Sequence, residues 1–569
     1  MMNANEFILL VKAPFESGIT NHNNEYNYAW KVAQLRDDNA ATLDNQQVSL
    51  LNSLIYIVDH RIERNRLSLK NNGFWKIDKL DSNLIGDIQI LVESINSIWL
   101  SAKFYDVLWS TEHIKNDEYI SKAIDAYEQF PLQEIIHITN YWKRGLFLAK
   151  VSKRPKDKNR ITQLLANNAL SGGDTFIITR LLFEIDELGP FASDLSQSLI
   201  NQVDSAIEEK GYWLAVSYWQ LLISICKKNR KLNISYEELT LSLSNTLQAW
   251  ALQDESGNNF HVAADRYREA ISLLQGLSNG FKEQNHINDT VASIEHHLVD
   301  IRNSIVKLNA AATIPIEIDL KPYFDSVDEL IDGKNLNEII KFPDLDYRHI
   351  LKLKKREQSE TLFSRLLFGS VAFTESDGRT LGKFASDSVE ADRIDSYRTF
   401  IRSVDCMSQG FIYPALQKLR SELKLNEDYF HNLTNSSAII PQNQKAMVAK
   451  ALYHGYQLDF STALFILCPM VESILRFTLK EAGIPTITIN KTTESEKSMS
   501  LLLGIASDYK ILNREVIFKA EALFTSQFSY NFRNKVAHGL INDDSSNSLG
   551  AIYVWWLCYK WIYIYSDIQ

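Results

Sequence analysis

The chain is expected to adopt an all-α fold: an irregular helical array in the N-terminal half, then an antiparallel helical bundle. Three observations predict this. Only 11 prolines and 21 glycines interrupt 569 residues, and Leu, Ile, Ala, Glu and Lys, which favour helix, are abundant. Apolar residues recur with helical rather than alternating spacing. Apolar residues make up 45 % of the chain and charged residues 23 %, the balance of a globular protein with length enough for a large core.

Residues 1–310 read as helix after helix with short polar breaks, among them 48–66, 87–109 and 291–308. Two segments carry alanine and tyrosine at spacings suited to close helix crossings: Ala123 to Tyr127, and Ala263 through Tyr267 to Ala270 and Ile271. The packing is similar to that of tetratricopeptide helices, but no 34-residue period recurs. The segment is read as an irregular array, with an ordinary all-α domain as the alternative. Residues 311–390 read as a linker and irregular connecting region. Pro315, Pro322 and Gly333 break the helical period there. A short strand is expected at 314–320, and a loop with an Asp377-Gly378 turn at 368–388. Residues 391–569 read as the bundle. Its helices are expected near 392–423, 443–482, 496–508, 513–538 and 548–566, with an extended piece at Thr486–Ile489.

The net charge of −10 argues against a general nucleic-acid coat, whose affinity comes from many phosphate contacts. Local basic runs exist: Lys153, Arg154, Lys156, Lys158 and Arg160; Lys227, Lys228, Arg230 and Lys231; Lys352, Lys354, Lys355 and Arg356. Each is read as a solvated face. Four cysteines, Cys226, Cys406, Cys468 and Cys558, lie far apart without zinc-ligand spacing. They are read as reduced thiols of a cytoplasmic protein, three of them in apolar helical runs. No signal peptide is read at the N-terminus. Residues 551–565 are strongly apolar but short for a bilayer span and interrupted by Lys560, so a core helix or subunit contact is expected rather than a membrane anchor.

The chemistry concentrates at Asn531-Phe-Arg533-Asn534-Lys-Val-Ala-His538-Gly539. A permanently charged guanidinium, an amide and an imidazole that titrates near neutral pH fall within six residues. Apolar Val516, Leu523, Phe524, Phe528, Phe532 and Val536 predict one helix over 513–538, and Gly539 is a natural left-handed terminator. Five positions on an ideal helix turn through about 140°, so Arg533 and His538 do not share a face. Either a distorted last turn or two subunits pooling residues at a twofold axis reconciles them. The bland alternative is an arginine paired with a carboxylate and a histidine that caps carbonyls.

A second motif precedes it. In Leu464-Phe-Ile-Leu-Cys-Pro469-Met-Val-Glu472-Ser-Ile-Leu-Arg476, Glu472 and Arg476 are one turn apart and suited to pairing, and Pro469 sets a kink or a helix start. The two motifs in this order resemble the DUF4209 family, a HEPN-type domain, over about residues 445–545. The resemblance implies a helical bundle that dimerises and sets two R-x4-6-H motifs across a shared cleft. It further implies a metal-independent endoribonuclease, of a kind common in bacterial toxin and antiphage systems, acting on RNA without a cofactor. Arg533 and His538 then take the catalytic positions with Asn534 as polar neighbour. Glu472 takes the acidic position that orients Arg533, and Arg476 a supporting one. The N-terminal half is left to sense a regulatory protein partner or to restrain the nuclease. Some members of the superfamily cut nothing, which keeps a second reading open: a helical scaffold whose bundle dimerises or binds nucleotide or RNA.

Weaker candidates are Glu295, His296, His297 and Asp300, read as a polar helix face rather than a metal cluster; His454-Gly455, as a packed histidine or cleft wall; and His349 beside Lys352 and Arg356, as a solvated helix. No Walker loop, G-x-G-x-x-G, H-E-x-x-H or G-x-S-x-G occurs.

Overall fold

The computed structural model describes residues 3–15, 24–63, 67–73, 75–77, 79–228, 234–312, 319, 321–341, 345–355, 370–375, 377–490 and 493–567. Helices dominate. The only sheets among the described residues are three two-stranded antiparallel hairpins, so the protein is all-α. It divides into two compact units, Met1–Ile301 and Arg302–Gln569.

In the first unit most helices pack chiefly on a neighbour in sequence, as Ile98–Ser110 does on Asp117–Glu128 and Tyr236–Ser256 on Phe260–Gln275. Both small-residue segments lie at such crossings. Ala123 and Tyr127 are buried, and Gly145 of the next helix comes so close that a Cβ there would stand 3.0 Å from that of Tyr127. Ala263, Ala264, Tyr267 and Ala270 are likewise buried. Two expected helices are shorter than the apolar pattern implies. The 87–109 run breaks where Asn96 turns left-handed at φ 56° and Ser97 caps a new helix on Leu100 N. The 48–66 run stops at Val58, after which β1 (His60–Ile62) pairs with β2 (Leu69–Asn71).

That hairpin is pinned by buried charge. Lys103 donates to the His60 carbonyl at 2.7 Å, and Arg144 donates to the Leu67 carbonyl. Arg144 also grips Asp106 with two parallel hydrogen bonds of 2.9 and 2.7 Å, while Tyr127 and Ser110 donate to the same carboxylate. Both charges are buried. Burial pushes the Asp106 carboxyl up, but the Arg144 guanidinium outweighs it and leaves the group below its ordinary range.

The second unit is built around Phe460–Glu481 and Leu549–Ile564. The apolar C-terminal run is a core helix: Tyr553, Trp555, Trp556 and Tyr559 are buried. Trp555 donates to the Leu452 carbonyl at 2.9 Å, and its indole lies against Gly455, where a Cβ would fall 2.1 Å away. Among the described residues one helix, Phe460–Glu481, is long and apolar enough to cross a membrane by length and composition. Its Phe460, Leu464, Leu467, Cys468 and Leu479 are packed into this core. The expected 443–482 helix is two, Lys445–Tyr456 and Phe460–Glu481, broken where Leu458 takes φ 67°.

Two further readings are corrected. Residues 368–388 do not form only a loop: β3 (Ser370–Thr374) and β4 (Thr380–Ala385) make a hairpin, with Asp377-Gly378 at its turn. The expected 513–538 helix is interrupted. Arg514–Ala520 runs into a π-helical turn at Glu521–Thr525, the chain leaves the helix over 526–531, and Phe532–Ala537 begins anew. Within 321–355, helices occupy Lys321–Ile331, Leu336–Ile339 and 347–355. The strand expected at 314–320 lies outside the described residues apart from Asp319. The extended piece after Thr486 is β5 (Ile487–Ile489), paired with β6 (Glu494–Glu496).

Candidate active site

Pro469 sits inside the helix Phe460–Glu481 rather than at its start. One turn on, Glu472 and Arg476 pair at 2.9 Å. Arg476 also donates to Glu496 at 2.5 Å and to the Lys497 carbonyl at 3.0 Å. It therefore ties the β5–β6 hairpin to the helix and holds one oxygen of Glu472. The other oxygen accepts from Arg533 Nε at 2.6 Å. One carboxylate thus bridges two guanidiniums across 61 positions of sequence.

The break at 526–531 sets the direction of Arg533. Asn531 takes a left-handed conformation, φ 55°. Tyr530 stacks on Phe532 with ring centroids 5.0 Å apart, and Phe532 is buried. The Tyr530 hydroxyl donates to Asp405. Burial pushes the Asp405 carboxyl above its usual range, and burial with the neighbouring carboxylate pushes the Tyr530 phenol upward too. With Phe532 fixed inward, the next side chain turns toward Glu472. Asn534 is engaged locally: its amide donates to Asn531 Oδ1 at 2.8 Å, and its Oδ1 accepts from Arg533 Nη1 at 3.2 Å. The third guanidinium nitrogen, Nη2, has no protein partner among the described residues.

Arg533 lines an open cleft of about 400 Å³ together with Pro469, Glu472, Ser473, Arg476, Val536 and Ala537. Arg476 is spent on Glu472 and Glu496, whereas Arg533 shares only Glu472, and the Arg533 side chain is 27 % exposed. The site suits an anion with planar oxygens. His538 closes the helix through its backbone N–H on the Asn534 carbonyl and is exposed, with Gly539 at φ 66° beyond it. It is not among the residues lining the cleft. Arg533, Asn534, Glu472 and Arg476 are therefore brought together within one chain, and His538 stands outside this group.

Sequence reasoning missed a clamp on the motif. Phe528 packs against Phe373 and Phe384 of the β3–β4 hairpin, with centroids 5.8 and 5.6 Å away, and Lys535 pairs with Glu375 at 3.0 Å. The available signal was the alternating Ser370–Thr374 and Thr380–Ala385 around Asp-Gly. The π-helical turn at Glu521–Thr525 was also unforeseen. Such turns occur often at functional sites, and here Glu521 accepts from Tyr397 at 2.9 Å and pairs with Arg393 at 2.7 Å.

The weaker candidates resolve as packing or surface. His297 meets Glu255 at 3.0 Å and stands edge-on to Tyr267, while Glu295 and His296 are exposed. No group of three metal-ligating side chains forms among the described residues. His454 pairs with Asp459 at 3.0 Å, and His349 is exposed. The basic runs are neutralised in part: Arg160 by Asp125 and Glu128, Lys158 by Glu187, Lys228 by Asp186, and buried Lys354 by Asp392. Arg230, Lys231 and Arg356 lie outside the described residues. All four cysteines are free; Cys468 and Cys558 are buried, and burial raises the Cys558 thiol to about 12. No protein-family model matches the chain, and no curated protein matches it.

Proposed function

We propose that the chain is a metal-independent endoribonuclease of HEPN type, a cytoplasmic toxin or antiphage effector that works as a homodimer through its C-terminal unit. The observation that carries this reading is the posture of Arg533. Glu472 holds its Nε, Asn534 holds its Nη1, and Nη2 is left for a ligand on a side chain that lines an open cleft. A scissile phosphate placed there would receive a hydrogen bond from Nη2, and the guanidinium would stabilise charge gathering on the phosphoryl oxygens. The RNA 2′-hydroxyl attacks the adjacent phosphorus, the 5′-oxygen leaves, and a 2′,3′-cyclic phosphate remains. His538 is the group suited to move a proton at one of these oxygens, a contribution of about 10²–10⁴-fold. Because it stands outside the cleft of its own chain, the reading assigns it to the cleft of a second copy or to a bound-state rearrangement.

Purified protein incubated with RNA in excess chelator tests this, beside His538→Ala and Arg533→Ala. Cyclic phosphate ends from wild type alone are expected. Equal cleavage by the variants, or strict dependence on added metal, rejects it.

A second reading rests on the position of His538. A cleft lined by a prepared guanidinium but not by His538 also fits a non-catalytic module that binds a nucleotide or RNA phosphate. Phosphate-dependent RNA binding lost in Arg533→Ala, kept in His538→Ala and never followed by cleavage would favour it.

A further inference from the structure

The first unit contains a larger cleft, about 800 Å³, unrelated to the Arg533 site. It forms between the helix Asn24–Asp38 and the β1–β2 hairpin. The helix buries Tyr28, Ala29, Val32 and Ala33 in the core, which leaves Trp30 turned outward and 53 % exposed. Asn27 lies three positions earlier on the same side and lines the cleft with it. The hairpin's two faces are segregated by strand alternation. His60 points into the core and is buried, its ring nitrogen 2.8 Å from the Tyr56 carbonyl. The opposite face presents Asp59, Arg61 and Asn72 to the cleft, and Trp75 follows on the same wall. Lys70 is the cross-strand partner of Arg61, with Glu63 4.0 Å from its ammonium at the same edge. Asp59, only 5 % exposed, is the buried end, with Asn72 donating to it at 3.3 Å.

We propose that this cleft is a nucleotide-binding site. Two indoles supply faces for a planar base, a contact tolerant of base identity. The Asn27 amide reaches a base edge. The buried Asp59 carboxylate accepts hydrogen bonds from ribose hydroxyls, with Asn72 beside it, and Arg61 at the open edge takes the phosphate. The volume falls within the roughly 300–1,000 Å³ usual for small-molecule sites. The Lys103 and Arg144 anchors beneath the hairpin hold this polar face in place before any ligand arrives, which lowers the ordering cost of binding. The site stands independently of the ribonuclease reading.

Isothermal titration calorimetry of the full chain tests it, using the four ribonucleoside 5′-monophosphates, the four 5′-triphosphates, ribose 5-phosphate and a short single-stranded RNA. At least one nucleotide is expected to bind with 1:1 stoichiometry, and ribose 5-phosphate at least about tenfold more weakly. Trp30→Ala should weaken nucleotide binding by about tenfold or more with an unchanged unfolding midpoint, because the side chain is exposed. Arg61→Gln should weaken it and flatten its salt dependence. Arg533→Ala should leave it intact, which separates this site from the other cleft. The proposal is overturned if none of the eight nucleotides binds at millimolar concentration, if Trp30→Ala binds as wild type does, or if only the RNA binds.

Discussion

Two arginine–carboxylate pairs, one in each unit, divide the work that such a pair can do. Arg144 and Asp106 are sealed, with side-chain exposures of 3 % and 0 %. Every guanidinium nitrogen is occupied, by Asp106, Ser110 or the Leu67 carbonyl. Arg533 and Glu472 are joined by a bond just as short, yet one guanidinium nitrogen is left over and the side chain lines an open cleft. A saturated arginine is an internal tie. An arginine held from one side and open on the other is a prepared anion receptor. Distance does not distinguish the two; the inventory of satisfied donors does.

The sharpest way to break this contrast is to remove each arginine. Arg144→Ala strands a buried carboxylate and should destabilise the first unit by about 3–5 kcal/mol, read by urea denaturation. The pair also sets a pH dependence. The Asp106 carboxyl is depressed in the folded protein, so its stabilisation is complete above its unfolded value of about 3.9 and is lost as pH falls through the lower folded value. A double variant, Asp106→Leu with Arg144→Met, should lack that portion of the acid sensitivity.

Next in size, Gly455→Ala places a methyl group against the Trp555 indole. About 1–3 kcal/mol of destabilisation is expected from overpacking, confined to the second unit and visible as its earlier unfolding. A neutral result would mean that the Trp555 ring is free to shift. Glu472→Gln sharpens the comparison from the other side. It keeps the shape but releases the charge that aims Arg533, and RNA cleavage should fall by about 10²-fold, the penalty of a misplaced group. Stability should barely move. The smallest effect belongs to the hairpin clamp. Lys535→Ala removes a half-buried ion pair with Glu375, and at most about 1 kcal/mol should be lost.

How legible this was in the sequence follows from what periodicity records. The helices were readable because burial on one face leaves a 3.6-residue pattern; the C-terminal run, buried on every face, was readable from its unbroken apolar composition, and Gly539 from its place after the last periodic residue. The break at 526–531 was not, because Phe524, Phe528 and Phe532 sit four apart as in a helix. They in fact serve different partners: Phe528 meets the β3–β4 hairpin, whereas Phe532 enters the bundle core. Glu472 and Arg533 were linked by two motifs in order, and their contact is direct. The position of His538 outside the cleft was foreshadowed by the 140° argument, although the helix it assumed is interrupted. The Trp30 and Trp75 cleft left no local trace, since its walls are separated by some forty residues and meet only through the β1–β2 hairpin.

The central claim is that Arg533 is prepared for a ligand and is not a structural tie. Measuring unfolding free energy and RNA cleavage on the same Arg533→Ala preparation tests it most directly. Stability within about 1 kcal/mol of wild type, together with cleavage reduced to background, is the expected pair of results. A loss of several kcal/mol comparable to that of Arg144→Ala, or cleavage retained at the wild-type rate, would contradict it.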